Sequence, residues 1–493
     1  MDWLQAVLIS AVLAASCTAS NRTFPPGFKF GAASSSYQIE GGWNATDKGE
    51  SIWDRFVHDD PTRIPNNENG DVACDSYNNW ERDIEMAVEL RLHFYRFSLS
   101  WSRILPTGFN NRISEDGVRY YNNLIDGLLA RGIEPFVTLF HWDLPQPVQE
   151  LSGWTNPLIA DWFAEYARVV YTLFGDRVKM WLTFNEPIVV CDGAYNTGII
   201  APGILNPEIA PYVCNKILLM AHAKAWRIYD EEFRPKYHGK VGLTNMWVWI
   251  EPAADEYKDL AELALQNFGG RYSHAIFSKE GGWPPGIEEV MAENSLKRGY
   301  SKSQFPAFTE EEKDLVRGTY DFCGLNHYIS RLIRKAKEGE TFTAFPLGDV
   351  EDLDGIMLLP DGREVGTSYW DVVYPVGMRR LLVWLKEQYG DIEYVITENG
   401  YPTGAGLEDT SRVNYYKDYL EQVLLAINED GVNVTHYTTW SLMDSFEWVD
   451  GYSHKFGLYE VDFTDPKRTR TPRQSAYYYA SVIAQHSLDV STY

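Results

Sequence analysis

Short apolar runs alternate with longer amphipathic stretches along most of the chain. The short runs are rich in β-branched and aromatic residues, which is typical of strands, and the longer ones repeat apolar residues at helical spacing. Segments 157–175 and 378–390 are the clearest predicted helices. The predicted strands are approximately 28–36, 93–101, 134–143, 178–187, 240–249, 320–330, 392–400 and 434–448.

Eight strands that alternate with helices predict a parallel sheet, because each connecting helix must cross back over the sheet. Eight such units are the number that closes a (β/α)8 barrel. No linker rich in Gly, Ser or Pro divides the sequence. We therefore expect an α/β fold, a single (β/α)8 TIM barrel with long βα loops over residues 20–493, and an inserted loop at about 331–366.

Polar or aromatic side chains stand at the ends of seven of these predicted strands. A closed barrel opens all its carboxyl strand ends on one face, so these residues should converge although they are far apart in sequence. The fifth strand offers only Asn245 and a tryptophan-rich tail, and we assign it no role. The seven sets are Gln38, Arg96, His141, Asn185 with Glu186, Asn326 with Tyr328, Glu398, and Trp440 with Glu447.

Two of the strand ends carry a glutamate next to an asparagine. Glu186 ends the run WLTFNE and Glu398 lies in VITENG. Facing carboxyl groups cleave glycosidic bonds, and in retaining enzymes they lie about 5–5.5 Å apart. Because two close carboxylates cannot both ionise cheaply, one should stay protonated as the acid. Arg96 and the Tyr328 hydroxyl are available to favour the charged form of the other, the nucleophile.

Six motifs follow one another along the chain: FKFGAASSSYQIEGGW, YRFSLSWSRILP, FHWDLP, TFNEP, ITENG and WSLMDSFEW. In this order they resemble the motifs of family-1 glycoside hydrolases, the β-glucosidase family, from about residue 24 to residue 485. The sequence around and between these motifs is most similar to that of insect β-glucosidases and insect myrosinases. The resemblance implies that Glu186 is the acid/base and Glu398 the nucleophile of a double displacement through a covalent glycosyl-enzyme.

The resemblance also implies roles for the surrounding residues. Arg96, Asn326 and Tyr328 would support the nucleophile, and Trp370 would be the tryptophan on the aglycone side. Most family members carry Asn where this chain has Ser445. Because serine is shorter, we expect a supporting hydrogen bond there to be lost or to be made by a water molecule instead. The implied sugar-binding residues are Gln38, His141, Asn185, Glu447 and Trp448, with Trp440 as the platform beneath the ring, since a pyranose has an apolar face and hydroxyls that need hydrogen bonds.

Composition limits the partners. The 493 residues carry a formal net charge of −25, which argues against nucleic acid or an anionic membrane surface, since both attract a basic surface. The sequence holds no metal-ligand spacing, P-loop or dinucleotide fingerprint, so it implies no cofactor and no metal. The expected partner is a small-molecule β-glycoside, and a homodimer is left open.

Residues 1–19 are predicted to be a secretory signal peptide. An apolar run from residue 3 to about residue 16 is too short to span a bilayer and is followed by the small residues Cys17, Thr18 and Ala19. No other segment is long and apolar enough to be a membrane span. The expected location is therefore secreted or extracellular, the gut lumen being one example.

Four cysteines remain after removal of the signal, and they are too scattered to form a disulfide scaffold. A single bridge between Cys191 and Cys214 is one pairing left open. Glycosylation sequons begin at Asn21, Asn44 and Asn433. The last falls in a predicted buried strand, and we discount it.

Three functions compete. The leading interpretation is a β-glucosidase that releases terminal glucose from oligosaccharides or plant glycosides, although preference for galactosides or fucosides is left open. Its rival is a thioglucosidase (myrosinase) that acts on glucosinolates, whose sulfate needs Lys or Arg. Asp192, six positions after Glu186, argues against that aglycone, but Arg331, Arg334 or Lys335 could compensate. A non-catalytic sugar-binding protein is disfavoured because both glutamates are intact.

Overall fold

The computed structural model describes residues 22–360, 364–368 and 371–490. Strands in this part of the chain form a closed barrel and two short additions to it. Their bounds are β1 (Lys29–Ala33), β2 (Phe94–Ser98), β3 (Glu134–Phe140), β4 (Met180–Asn185), β5 (Lys240–Pro252), β6 (Cys323–Lys335), β7 (Gly355–Leu358), β8 (Tyr394–Asn399), β9 (Val434–Trp440), β10 (Tyr459–Val461) and β11 (Arg470–Pro472).

Eight of these strands are parallel and pair in a ring. Strands β1 to β6 follow one another in order, β8 and β9 continue from β6, and β9 pairs with β1 to close the ring. Strand β7 lies antiparallel on β6, and β10 pairs antiparallel with β11. The ring confirms the predicted (β/α)8 barrel.

The helices surround this ring. Helix α7 buries Ile159, Phe163, Tyr166, Val170 and Phe174, whose spacing of three or four residues places them on one face. Helices α7 and α14 confirm the two clearest sequence predictions. The bounds are α1 (Ser36–Ile39), α2 (Ile52–Asp59), α3 (Ser76–Glu89), α4 (Trp101–Ile104), α5 (Glu115–Leu129), α6 (Gln146–Gln149), α7 (Ile159–Phe174), α8 (Ala210–Ile228), α9 (Arg234–Tyr237), α10 (Lys258–Leu265), α11 (Arg271–Phe277), α12 (Pro285–Lys297), α13 (Glu310–Val316), α14 (Pro375–Tyr389), α15 (Thr410–Asn428) and α16 (Gln474–Gln485).

The floor of the barrel is a small apolar cluster, separate from the larger core beneath the helices. Two glycines make room for its aromatic rings, because a Cβ atom on Gly31 would lie 2.3 Å from the Phe94 ring and one on Gly242 would lie 2.7 Å from the Phe322 ring. The cluster closes one end of the barrel, so the other end must hold any ligand site. Its members are Phe94, Phe136, Met180, Leu182, Phe322 and Val395.

A polar layer lies directly above this floor. Side chains on a strand alternate between its two faces, so a residue two positions beyond a floor residue also points into the barrel. On four strands these positions hold Arg96, Thr138, Thr244 and Thr397, each at most 1% exposed. The layer separates the apolar floor from the open mouth.

Three local expectations were wrong. The segment after 331 is not all inserted loop, because β6 continues to Lys335 and pairs with β7. The last barrel strand ends at Trp440, not near residue 448. Asn433 lies one residue before β9 and is exposed, so burial gives no reason to discount its sequon.

One disulfide bond joins Cys191 to Cys214, the pairing that the sequence left open. Cys74 and Cys323 are buried free thiols. Among the described residues, no helix combines the length and apolarity needed to cross a bilayer. The predicted signal peptide lies outside the described residues.

Candidate active site

The barrel strands become irregular where they reach the mouth. The β4–β5 register shifts between Leu182 and Asn185, and the β6–β8 register shifts between Leu325 and Asn326. Such bulges redirect side chains and are common beside active sites. Glu186 then has a φ of 48°, a left-handed conformation that is uncommon for a residue other than glycine. The irregular backbone therefore turns these side chains into the mouth.

The Glu398 carboxylate is held by two strong donors. Arg96 Nη1 donates to Oε1 at 2.6 Å, and the Tyr328 hydroxyl donates to Oε2 at 2.6 Å. Arg96 also donates to the Thr397 carbonyl at 2.9 Å, which fixes the plane of its guanidinium. Charge-assisted hydrogen bonds to both oxygens favour the anionic form. Glu398 is thus equipped to act as a nucleophile.

The Glu186 carboxyl group has a different environment. It is 6% exposed, and within the described residues it accepts one hydrogen bond, from Asn326 Nδ2 at 2.8 Å. Burial, and then the charge of Glu398, raise the pKa of Glu186 to about 8. The group therefore holds a proton at neutral pH, as a general acid must.

A chain of hydrogen bonds joins the two glutamates. From Arg96, which holds Glu398, Nη2 donates to Asn185 Oδ1 at 2.7 Å. Asn326 Nδ2 donates to the same oxygen at 3.1 Å as well as to Glu186. Asn326 was expected to support the nucleophile, but its amide hydrogens serve Glu186 and Asn185 instead. The structure therefore brings both carboxyl groups to one mouth and gives them unequal support.

His141 lies on the other side of Asn185. Asn185 Nδ2 donates to His141 Nε2 at 3.1 Å, which leaves the ring hydrogen on Nδ1. Burial and the charge of Arg96 lower the pKa of His141 well below its ordinary value, so the ring is neutral. In the described part of the chain Nδ1 has no partner. The centroid of the His141 ring lies 5.8 Å from that of Trp440 and 6.0 Å from that of Trp448, and both tryptophan rings stack on it. The Nδ1–H donor of His141 therefore lies next to two aromatic rings.

Glu447 and Gln38 form a second polar group at the mouth. Gln38 Nε2 donates to the Phe446 carbonyl at 2.8 Å and lies 3.4 Å from Glu447 Oε2. Ser445 Oγ donates to Glu447 Oε1 at 2.8 Å. The hydrogen bond expected to be lost at Ser445 is thus made directly. Burial raises the pKa of Glu447 to about 8.

A buried ion pair anchors the loop that carries Glu447. Arg473 donates two hydrogen bonds of 2.8 Å to the Asp444 carboxylate, and both side chains are fully buried. Asp444 also accepts from the backbone of Gly457, while Arg473 donates to the Gly457 carbonyl. The pair therefore fixes both ends of the 444–457 loop.

Arg473→Met is expected to lower the free energy of unfolding by about 3–5 kcal/mol, because it leaves a buried carboxylate without its cation. Urea unfolding followed by tryptophan fluorescence measures the change. Arg112→Met is the control, since Arg112 pairs with Asp47 while 56% exposed and should change stability by at most about 1 kcal/mol. Equal losses in the two variants would show that burial does not set the contribution of this pair.

The structure overturns the argument made from Asp192. This residue is buried and paired with Arg271 at 3.4 Å, so it presents no charge to an entrance. The proposed compensating cations are engaged too: Arg334 binds Glu340, and Lys335 lies 3.3 Å from Asp354. The third, Arg331, is buried and donates to the Ser330 carbonyl. Trp370, the expected aglycone-side tryptophan, lies outside the described residues.

Sequence reasoning found Arg96 but missed the threonines of the polar layer beneath the mouth. The fifth strand was given no role, yet Thr244 on β5 accepts the Glu186 backbone N–H at 3.0 Å through its carbonyl. Its hydroxyl oxygen lies 3.2 Å from Asn326 Oδ1. The signal that could have found it is the two-residue step from Gly242, which makes room for the Phe322 ring of the floor, to Thr244.

Known proteins resemble this chain over most of its length. The sequence matches glycosyl hydrolase family 1 over residues 20–488. It is 44% identical to Myrosinase 1 of Brevicoryne brassicae over 464 residues, 94% of this chain and 98% of that protein. It is 41% identical to the cytosolic beta-glucosidase of Homo sapiens over 473 residues, 94% and 99% of the two chains. A solved structure of aphid myrosinase matches with a TM-score of 0.89 and 42% identity, covering 94% of this chain and 100% of that one. The chain therefore belongs to glycosyl hydrolase family 1 and is a retaining β-glycosidase.

Proposed function

We propose that the protein is a β-glucosidase that releases terminal β-D-glucosyl residues from oligosaccharides or plant glycosides, with Glu398 as nucleophile and Glu186 as acid/base. The observation that carries the assignment is the unequal support of the two glutamates. Among the residues that the structure describes, Glu398 receives one donor on each oxygen, from Arg96 and Tyr328, whereas Glu186 receives a single amide hydrogen. The first environment favours an anion, and the second favours a carboxylic acid.

The first step forms a covalent intermediate. Glu398 attacks the anomeric carbon as the glycosidic C–O bond breaks, and the Glu186 proton passes to the leaving oxygen. The ester that results carries no charge at Glu398, so the Coulombic repulsion that raised the pKa of Glu186 is removed. Glu186 is then a carboxylate that can accept a proton from water. Water attacks the anomeric carbon, the ester bond breaks, and both glutamates return to their starting states.

The remaining mouth residues would bind the glucose. Trp440 offers an aromatic face to the apolar side of the pyranose. Gln38, Glu447 and Trp448 would hold the hydroxyls far from the cleaved bond, and His141 Nδ1 has a hydrogen to donate. Asn185, between Arg96 and Asn326, would serve the 2-hydroxyl, whose hydrogen bonds strengthen in the transition state.

A panel of nitrophenyl β-glucoside, β-galactoside and β-fucoside, together with a glucosinolate, tests the proposal. The highest kcat/KM is expected on the β-glucoside, and NMR of the first sugar released should show the β anomer, because two displacements restore the configuration. Preference for the galactoside or fucoside would contradict the glucose assignment. No turnover of any substrate would favour a sugar-binding protein.

A thioglucosidase is the second candidate. Two observations favour retaining it: the similarity to an aphid myrosinase, and the burial of Asp192 against Arg271, which removes the charge that argued against a sulfated aglycone. The same panel separates the two candidates. A kcat/KM on the glucosinolate above that on every O-glucoside would assign the enzyme as a myrosinase.

Secretion is also part of the proposal. The predicted signal over residues 1–19 supports it, and so does the Cys191–Cys214 disulfide, since such bonds persist mainly in oxidising compartments. Asn44, which begins one sequon, is exposed. When the full chain is expressed in a secreting cell, the protein recovered from the culture medium should begin near residue 20. Its mass should change on deglycosylation.

A further inference from the structure

The polar layer holds two threonines whose hydroxyls meet at one oxygen. Thr397 Oγ1 donates to Asn326 Oδ1 at 2.6 Å, and Thr244 Oγ1 lies 3.2 Å from the same oxygen. The two hydroxyls also hydrogen-bond each other. All three side chains are fully buried, on three neighbouring strands of the barrel.

An amide side chain has two different ends, so its neighbours select one of its two orientations. Asn185 Oδ1, which accepts from Arg96, can only accept a hydrogen, so Nδ2 of Asn326 must face it. Oδ1 of Asn326 then faces the threonines and needs a hydrogen, which the Thr397 hydroxyl donates. With Oδ1 facing the threonines, Nδ2 faces Glu186 and Asn185, and each of its hydrogens has an acceptor. In the flipped orientation Oδ1 would face Asn185 Oδ1, which accepts from Arg96 and carries no hydrogen, an unfavourable arrangement in a buried site.

We propose that Thr244 and Thr397 are positioning residues that hold the Asn326 amide with Nδ2 directed at the carboxyl group of Glu186. This inference rests on the proposed function, because it concerns the acid/base of that reaction. Thr397 precedes Glu398, so the strand that carries the proposed nucleophile also orients the group that supports the acid/base.

The consequence for catalysis follows from the hydrogen bond that Asn326 donates to Glu186. The Asn326 hydrogen bond favours the anion and opposes the effects of burial and of Glu398. Losing it should raise the pKa of Glu186, which keeps the acid protonated to a higher pH but leaves less of the carboxylate that must accept a proton in the second step. In the part of the chain that the structure describes, the charged and titratable groups that face Glu186 are Glu398, Arg96 and Tyr328. Substitution of either threonine leaves all three in place.

The test compares Thr397→Val with Thr397→Ser. Valine keeps the branched shape and removes the hydroxyl, whereas serine keeps the hydroxyl. In Thr397→Val the basic limb of the pH profile of kcat/KM is expected to move up by about 0.5–1 pH unit, and kcat on a substrate limited by the second step should fall about tenfold, as for the loss of one hydrogen bond to a charged group. Thr397→Ser should keep the basic limb at the pH found for the unaltered enzyme and should retain most of its kcat.

Thr438→Val is the matched control. Thr438 lies on β9, is fully buried, and its hydroxyl has no hydrogen-bond partner in the described part of the chain. Its loss should leave the basic limb where it is. If Thr397→Val does not fold, Thr244→Val reports on the same amide oxygen, with the same expected direction.

An unmoved limb in the folded Thr397→Val or Thr244→Val enzyme, or an equal shift in Thr438→Val, would overturn the inference. Failure of the proposed function is a separate result, because it would show as absence of β-glucoside turnover by the unaltered protein. If the unaltered enzyme is active and the pH profiles of all variants coincide with its own, the positioning role is rejected and the proposed function stands.

Discussion

Glu398→Gln is expected to lower kcat/KM on every β-glycoside by about 10⁴-fold or more, a barrier increase of at least about 5.5 kcal/mol. Glutamine keeps the size of the side chain but cannot form the glycosyl ester. It also loses the ionic contact to Arg96, although an amide oxygen can still accept from that guanidinium. Initial rates on nitrophenyl β-glucoside measure the loss.

Glu393→Gln is the control for this experiment. Glu393 immediately precedes the same strand, β8, and its Oε2 is paired with Lys240 at the far end of the barrel. Its replacement should leave kcat/KM within about twofold, as is usual for a substitution remote from the site. A Glu398→Gln enzyme that kept more than about one part in a hundred of its activity would rule out the assigned nucleophile.

A small anion should restore turnover to Glu398→Ala. The shortened side chain leaves space at the face from which Glu398 would attack, and azide entering there would displace the leaving group once. A single displacement inverts the anomeric carbon, so the expected product is the α-glycosyl azide. A β product would place the nucleophile elsewhere.

Glu186→Gln is expected to separate substrates by their leaving groups. On an alkyl or disaccharide substrate, kcat/KM should fall about 10³-fold, which lies in the range supplied by general acid catalysis. On dinitrophenyl β-glucoside it should fall less than about tenfold, because that leaving group departs without a proton. A Brønsted series of aryl glucosides measures the difference.

Glu447→Gln provides the contrast. This residue is proposed to bind the sugar and not the leaving group. Its replacement should therefore lower kcat/KM by a similar factor on alkyl glucosides and on dinitrophenyl β-glucoside. If Glu186→Gln also slowed both alike, Glu186 would not be the acid.

The pH profile gives an independent check on Glu186. The acid works only while protonated, and burial with the charge of Glu398 raises its pKa to about 8. The kcat/KM of the unaltered enzyme should therefore hold below that pH and fall as the pH rises through about 8. In Glu186→Gln this basic limb should vanish, because glutamine does not titrate. A limb that persists unchanged would belong to another group.

The polar strand ends show how much of the site the local sequence predicts. Arg96, Glu186, Tyr328 and Glu398 were singled out because each interrupts an apolar strand near its carboxyl end, and the barrel brings them together. Asn326 was singled out for the same reason but was given the wrong neighbour. A strand pattern fixes which face a side chain is on, yet not which of two adjacent carboxyl groups it meets.

The errors share a physical cause. Asp192 looked like an entrance charge because its sequence distance from Glu186 is short, but the turn after β4 buries it against Arg271 from α11, 79 positions away. Ser445 looked too short to replace Asn, but the loop fixed by Arg473 and Asp444 brings its hydroxyl to Glu447. Contacts between distant segments decided both cases.

By itself, the sequence determined the eight strand–helix units, the polar residues at their ends and the family to which the chain belongs, because strand period, helix period and motif order are local properties. Only the tertiary structure decided which carboxyl group receives two donors and which receives one. It also decided that buried threonines orient Asn326. Hydrogen-bond partners and burial arise when strands far apart in the chain close into a ring, and no local pattern encodes those distances.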